Sequence, residues 1–492
     1  MRIAFASQQR LDCNPIVNIQ LNFDCRDEII PILAALQHIY SQPEVRDEIL
    51  RMVAQDVNGS SSAGLGRMGM DYWQVLVLAA VRLGCNLNYD KLQNLAEEHR
   101  TLRHIMGIGD WEEEVMFDWR RIRDNICLIH PETLERINHA IVAEGHKLVP
   151  GAPDRVRADS FVVETNIHYP TESSLIRDGL RKIFGLCVQL AALLGAENWR
   201  QHKHLYKKAK RLSRDIDRIA SRKGNNYQER LKVPYGQLLD LASTIMDRAR
   251  NLRDRTSSSQ AAGLESMIAA LNVELGVFLE RTEQVCGTAQ RRVFDGESVP
   301  NSEKLFSIFE PHTQLLKRGK AGQLIQFGRL ALVFEDQAGF VCHYYLLPRD
   351  AEDRDVAVAQ TRIVQERLGG RIKRASFDRG FHSPENQRDL AEIVPHVCLP
   401  MPGVNQAKEQ KQQATVEFRQ SRQRHPGVES AIGALQSGNG LERCRDRTER
   451  GYTRYLGLGV LGRNLHVLGK ILIARQDTSF KAGQSRRKKP AA

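Results

Sequence analysis

Three carboxylates in this chain are of the right type, in the right order, to do phosphoryl chemistry. Asp159 interrupts the apolar, strand-like run "RADSFVVET". An acid there is costly to desolvate unless a cation or hydrogen-bond donors meet it. Asp378 closes the short strand-like "RIKRASFD", and Glu429 lies in the first turn of a helix within "PGVESAIGALQ". Brought together, three carboxylates would repel one another. One or two Mg²⁺ ions would relieve that repulsion and complete an all-oxygen site suited to phosphoryl transfer. Taken singly, each acid has an ordinary reading: a salt-bridged strand aspartate, a turn residue before Gly380, and a glutamate favoured by the helix dipole. Glu417 and Glu442 are rival third acids.

The elements that must position these acids are read from hydrophobic period. Residues 27–147 carry apolar side chains at helical spacing, as in "DEIIPILAALQHIY" and "MDYWQVLVLAAVRLG". Short helices with basic, Trp-containing segments fit a helix-turn-helix-like DNA-binding domain, and they also fit a plain helical bundle. The Pro/Gly boundary "KLVPGAPDRVR" precedes the Asp159 strand, and Thr171 follows Pro170 as a helix N-cap. From Glu172 to about Gln290 the pattern is helical again. Within it, "HLYKKAKRLSRDIDRIAS" sets Leu205, Ala209, Leu212, Ile216 and Ile219 on one seam with cations around the rest. After Pro300 the period changes to strands, "GQLIQFGRLALVFED" and "GFVCHYYLLP", joined by a turn at Asp336 to Gly339. A glycine-ended helix ("DVAVAQTRIVQERLGG"), the Asp378 strand, the helix "SPENQRDLAEI" and the strand "VPHVCLP" follow. The polar loop "NQAKEQKQQAT" then leads to the Glu429 helix.

With the helical module set aside, the order is strand, strand, strand, helix, strand, helix, strand, helix. That is the order of an RNase H-like fold, in which the first and fourth strands are sheet neighbours. Asp159 and Asp378 would then lie side by side, with Glu429 brought over them by the later helix. The predicted class is an α/β catalytic core (an RNase H-like mixed sheet flanked by helices) with an all-α N-terminal domain and a large helical insertion. The predicted divisions are 1–150 for the DNA-binding helices, 151–171 with 301–450 for the core, 172–300 for the insertion, and 451–492 for a C-terminal helix and basic tail.

Four segments resemble bacterial insertion-sequence transposases of the DDE type, in particular the ISNCY-like and related families. They are "ADSFVVETNIHYPTESSLIRDGLR", "FEPHTQLLKRGKAGQLIQFG", "SFDRGFHSPEN" and "RHPGVESAIGALQSGNGLERCRDR". The resemblance implies that Asp159, Asp378 and Glu429 are the catalytic, metal-binding triad, holding two Mg²⁺ ions for which Mn²⁺ can substitute. It implies binding to terminal inverted repeats, nicking to give 3′-OH ends, and joining of those ends to target DNA by a homodimer or higher oligomer in the bacterial cytoplasm. Relatives often place an arginine four residues before the glutamate and a cation seven after it. Here those positions hold His425 and Gln436, and Arg422 and Arg424 stand near enough to serve as phosphate contacts. Two other classes share the pattern: an RNase H-like metal-dependent nuclease or resolvase without strand transfer, and a transposase-derived DNA-binding protein without catalysis.

Charge supports a polyanionic partner. The 492 residues carry a net charge of +12. Residues 200–232 hold twelve Lys/Arg against three Asp/Glu, and residues 443–492 hold thirteen against three. Two basic segments on an otherwise acidic chain point to nucleic acid. Lys207, Lys208, Lys210, Arg211 and Arg214 in the first, and Arg486, Arg487, Lys488 and Lys489 in the second, are the candidate backbone contacts, with Gln436 beside the glutamate. Nine scattered cysteines, none in a Cys-x-x-Cys pair, argue against a structural zinc site and suit a reducing compartment. No signal peptide and no apolar run of about 18 residues is read from the chain, so no membrane partner is predicted.

Overall fold

The structure is a computed structural model. It describes residues 2–5, 11–60, 64, 69–112, 114–193, 199–257, 264–317, 325–401 and 415–487, the last eleven of these without their side chains. In chain order the helices α1 (Ile29–Tyr40), α2 (Pro43–Asn58), α3 (Tyr72–Gly84), α4 (Tyr89–Glu98), α5 (Arg100–Ile105), α6 (Trp119–Leu128) and α7 (Pro131–Leu148) lead into strand β1 (Arg155–Thr165). Helices α8 (Glu172–Leu193), α9 (His202–Arg222), α10 (Tyr227–Ser257) and α11 (Glu265–Val293) follow. Then come β2 (Gln314–Leu316), β3 (Gln326–Asp336), β4 (Val341–Leu346), α12 (Asp353–Arg367), β5 (Arg374–Phe377), α13 (Pro384–Ile393) and β6 (His396–Cys398). The chain closes with α14 (Val416–Arg424), α15 (Gly427–Gly433), a π-helical turn (Ala434–Gly438), β7 (Arg443–Cys444) and α16 (Glu449–Arg487). The fold is mixed α/β, and it divides into two compact units: Met1–Glu164 with Arg329–Ala492, and Thr165–Gly328.

In the first unit the sheet runs β3-β1-β5-β6, with β4 paired to β3 and β7 to β1. Strands β1 and β5 are parallel, in a register of Arg155 with Arg374, Arg157 with Ser376 and Ala158 with Phe377. Strand β6 continues parallel to β5. Strands β3 and β4 form an antiparallel hairpin. Its turn is built by Asp336, whose Oδ1 accepts from the backbone N–H of Ala338 and Phe340. Gly339 takes the positive φ of +93° that closes the turn.

The first seven helices, read from sequence as a separate domain, belong to the same compact unit as this sheet. Local chemistry explains several of their starts. Pro43 and Pro131 open α2 and α7, where a missing N–H costs nothing, and Asp71 and Gln74 form a reciprocal cap on α3. Every residue of α3 except Gln74 is buried. Such an all-round apolar helix belongs in the centre of a core. Helix α16 packs against α1, α3 and α7. Here the sequence reading needs correction. Glu449–Gln476 is long and apolar enough, by length and composition, to cross a membrane, yet 67% of its most apolar stretch is buried inside the protein. Its glycines allow that burial: a Cβ on Gly462 would stand 2.6 Å from the Gly84 backbone of α3.

The second unit is built on α8–α11, which the chain places between β1 and β3. Its core joins Ile176, Leu180, Ile183 and Phe184 of α8 with Leu212 and Ile216 of α9, Leu238 and Ile245 of α10, and Leu275 and Leu279 of α11. Ion pairs Lys182–Glu274 and Arg292–Glu172 span α8 and α11. The unit extends past the predicted end at 300: β2 pairs with the first residues of β3, Gln314 opposite Gly328.

Candidate active site

The site is assembled from β1, β5 and the α14–α15 segment of the first unit. Side chains alternate along a strand, so Arg155, Arg157 and Asp159 share one face of β1. In β5, Arg374 and Ser376 share a face, and the same alternation carries on to Asp378 at the strand end. The last paired residues are Ala158 and Phe377, so the next step of the register sets Asp159 opposite Asp378. Neighbouring strands lie about 4.8 Å apart. Asp159 is half-buried, and its Oδ1 accepts from the Ser160 N–H at 2.7 Å. Asp378 is exposed at the start of a short 3-10 turn, Arg379–Phe381.

Contacts on either side of Glu429 hold its segment against the strands that carry these two acids. Thr415 caps α14, and buried Phe418 anchors it, with the Phe418 carbonyl accepting from the Cys398 thiol of β6. At the following turn, His425 Nδ1 lies 3.2 Å from Ser376 Oγ on β5. The Arg157 guanidinium donates to the Arg424 carbonyl at 3.1 Å. Gly427 packs so closely on that guanidinium that a Cβ would lie 1.9 Å from its Nη1. Further on, Gln436 Nε2 reaches the Val162 carbonyl at 3.5 Å. The segment therefore runs along β1 from Arg157 to Val162, and Glu429 falls in between. His425 and Pro426 both have helical backbone angles, so Glu429 stands one turn beyond His425 on the same side. Val428, Ala431 and Leu435 are buried beneath it, and Glu429 itself is exposed.

Electrostatics give the same grouping. Burial holds the His425 imidazole below its ordinary range; the Asp378 carboxylate opposes this, Arg157 adds to it, and Glu429 opposes it again. One half-buried imidazole thus senses both acids and the arginine two residues before Asp159. Arg157 is held in turn by Glu335 of β3.

The remaining predicted residues fall in several places. Arg422 and Arg424 are exposed on α14 beside the site. Lys207, Lys208, Lys210, Arg211 and Arg214 are exposed on α9 of the second unit. Arg486 and Arg487 end α16 without described side chains, and Lys488 and Lys489 lie outside the described residues, as does the "NQAKEQKQQA" portion of the polar loop. Of the rival acids, Glu417 and Glu442 are both exposed, and the Glu442 carbonyl accepts from the Glu164 N–H, at the end of β1 away from Arg157. Sequence reasoning missed Arg155, Arg157, Arg374 and Ser376. The signal was present in the two matching patterns, Arg-x-Arg-x-Asp and Arg-x-Ser-x-Asp, that end in the two aspartates.

A second cluster has the look of a metal site and a different occupant. Ligand atoms of Glu135, His139 and His343 lie within 4.8 Å of one another. Arg367 fills the space: Nη1 lies 3.0 Å from His139 Nε2 and 2.8 Å from His343 Nδ1, and Nη2 lies 2.6 Å from Glu135 Oε1. Both imidazoles must be neutral to accept from a guanidinium. Burial pushes His343 down to about 4, and burial with Arg367 lowers His139. This is a clamp joining α7, β4 and α12.

Comparison of the chain with family models, with curated proteins and with solved structures finds no match.

Proposed function

We propose that this chain is a DDE-type DNA transposase with an RNase H-like core. The observation that supports the reading is the parallel β1–β5 register, whose last pair, Ala158 with Phe377, directly precedes Asp159 and Asp378, while the segment bearing Glu429 touches the same two strands through His425 and Gly427. The strand order β4-β3-β1-β5-β6, with β5 and β6 parallel to β1, is the order the RNase H-like reading calls for. The helical unit between β1 and β3 fits an insertion into that core.

The donor set suits hard divalent cations. It is all oxygen, and two of its three acids are exposed, which leaves room for water and a phosphate oxygen. Asp159, Asp378 and Glu429 would hold two Mg²⁺ ions, with Mn²⁺ able to substitute. When bound, such ions activate water and stabilise the attacking and leaving oxygens of an in-line displacement. The protein's part is placement. Backbone pairing of the residues just before them would hold the two aspartates side by side, and Phe418 and the His425–Ser376 contact would hold the Glu429 segment against the same sheet. His425, whose imidazole burial holds below its ordinary range, ties the Glu429 segment to β5 at Ser376. The exposed cations of α9 and α14 are proposed to contact the DNA backbone, and a dimer or higher oligomer on DNA follows from the need to cut two ends together.

The test is a strand-transfer assay on DNA carrying the sequences that flank the reading frame. A transposase joins labelled 3′-OH ends to a target plasmid in Mg²⁺. Nicking without joined product would make the protein a nuclease on the same site. Binding with neither would make it a transposase-derived DNA-binding protein.

A further inference from the structure

We propose that the groove between the starts of β1 and β5 and helix α14 is a binding channel for the phosphates of a DNA strand, with Arg155 and Arg374 as its outer cationic pair. This rests on the strand-cleavage reading of the acids. The register places Arg155 directly opposite Arg374, Arg157 opposite Ser376, and Asp159 opposite Asp378 at the next step, all on one face. The face thus grades from a pair of cations to a pair of acids over four residues, about 13 Å of strand. That is about four nucleotides at the axial rise of about 3.4 Å per nucleotide in B-DNA.

Two like charges directly opposite each other on neighbouring strands are destabilising. Three sequestered arginines of the first unit are paired with acids: Arg82 with Asp446, Arg329 with Glu449, and Arg157 with Glu335. Arg155 and Arg374 are half-buried, and neither makes an ion pair among the described residues. An anionic ligand would complete them. They line a groove of about 680 Å³ together with Arg157, Ser376, Arg424 and Gly427. Its remaining side chains include Gln420, Ser421 and Gln423, hydrogen-bonding groups suited to phosphate and sugar oxygens. A groove of that size exceeds what one phosphate needs, and the residues lining it sit on the same strands as the acids. The contacts of α14 and α15 with Arg157 and Ser376 stand between this groove and the acids, so a polymer would lie in the groove beside the acids.

The experiment measures binding of a fluorescein-labelled random-sequence duplex against salt, alongside nicking of supercoiled plasmid in Mg²⁺. Each neutralised phosphate contributes a slope of about −0.9 in log K against log salt. The double variant R155A/R374A should reduce the slope by about 1.8, or about 60-fold in affinity at about 0.1 M salt. The double lysine variant R155K/R374K should restore it. Should R155A/R374A melt early, the single variants R155Q and R374Q carry the test, each losing about 0.9 of slope. A wild-type protein that binds and nicks DNA, with a slope the arginine variants leave unchanged, overturns the channel and leaves the transposase reading standing. A wild-type protein that neither binds nor nicks DNA removes the transposase reading and the channel with it. A third arm titrates pyrophosphate and follows the melting temperature. Stabilisation of the wild type that R155A/R374A abolishes, with the duplex slope unchanged, would make this a small-anion site and overturn the proposal.

Discussion

At the scale of single residues, burial decides which groups titrate and how. His343 is a buried residue of β4 with its ring nitrogens committed to Arg367 and Gln360, and burial takes its pKa to about 4 against an ordinary 6.5. The folded protein binds that proton less tightly than the unfolded chain. Stability from this group is therefore intact above pH 6.5 and is lost as pH falls from there toward about 4. Between about pH 7 and about pH 5 the loss should be about 2 kcal/mol. His343→Gln, which keeps an acceptor for Arg367, should flatten that slope in urea melts at the two pH values. An unchanged slope would place the acid lability elsewhere. The same scale shows what could be read beforehand. Asp159 stood out because an acid in an apolar run is physically expensive. Arg155 and Arg374 did not, because a cation at a strand's start looks like an ordinary solvated end; only the register reveals that they face each other.

At the scale of elements, hydrophobic period was informative where elements are long. It located α9 and oriented it: Ala209, Leu212 and Ile216 are buried, and Leu205 and Ile219 pack partly against the same core. That orientation leaves Lys207, Lys210, Arg211 and Arg214 exposed. Reversing those four charges should leave the melting temperature within a few degrees of the wild type. It should weaken duplex binding at physiological salt more than tenfold, since every phosphate that is no longer neutralised takes about 0.9 from the salt slope. Equal affinity in a folded variant would make α9 a structural element only. Period failed for β2 and β7, which are too short to show alternation, and for α14, whose only buried residue is Phe418. Yet α14 matters to the site, since it delivers His425 and so sets the position of Glu429.

At the scale of the whole molecule, packing joins segments that lie far apart in the chain. Helices α1–α7 and the C-terminal α16 belong to one compact unit with the sheet. Long-range packing of this kind leaves little local trace, and the signal that existed lay in small residues. Gly462 lets α16 approach the α3 backbone at Gly84, and Gly469 does the same at Pro31 of α1, where a Cβ would lie 1.8 Å from the carbonyl oxygen. Gly462→Ala should cost about 1–3 kcal/mol by overpacking. Chemical denaturation reads it directly; a neutral result would mean that the helices separate freely and that α16 is not held at the centre of the core.

The central claim is that Asp159, Asp378 and Glu429 form one metal-dependent DNA-cleaving site. Its most direct measurement is nicking of DNA carrying the flanking sequences in Mg²⁺, by the wild type and by D159N, D378N and E429Q, with duplex binding followed in parallel. The account predicts cleavage by the wild type alone, loss of cleavage in each variant for want of a metal ligand, and binding retained in all three. Near wild-type cleavage in any one of them, or cleavage by the wild type that persists undiminished in EDTA, would contradict it.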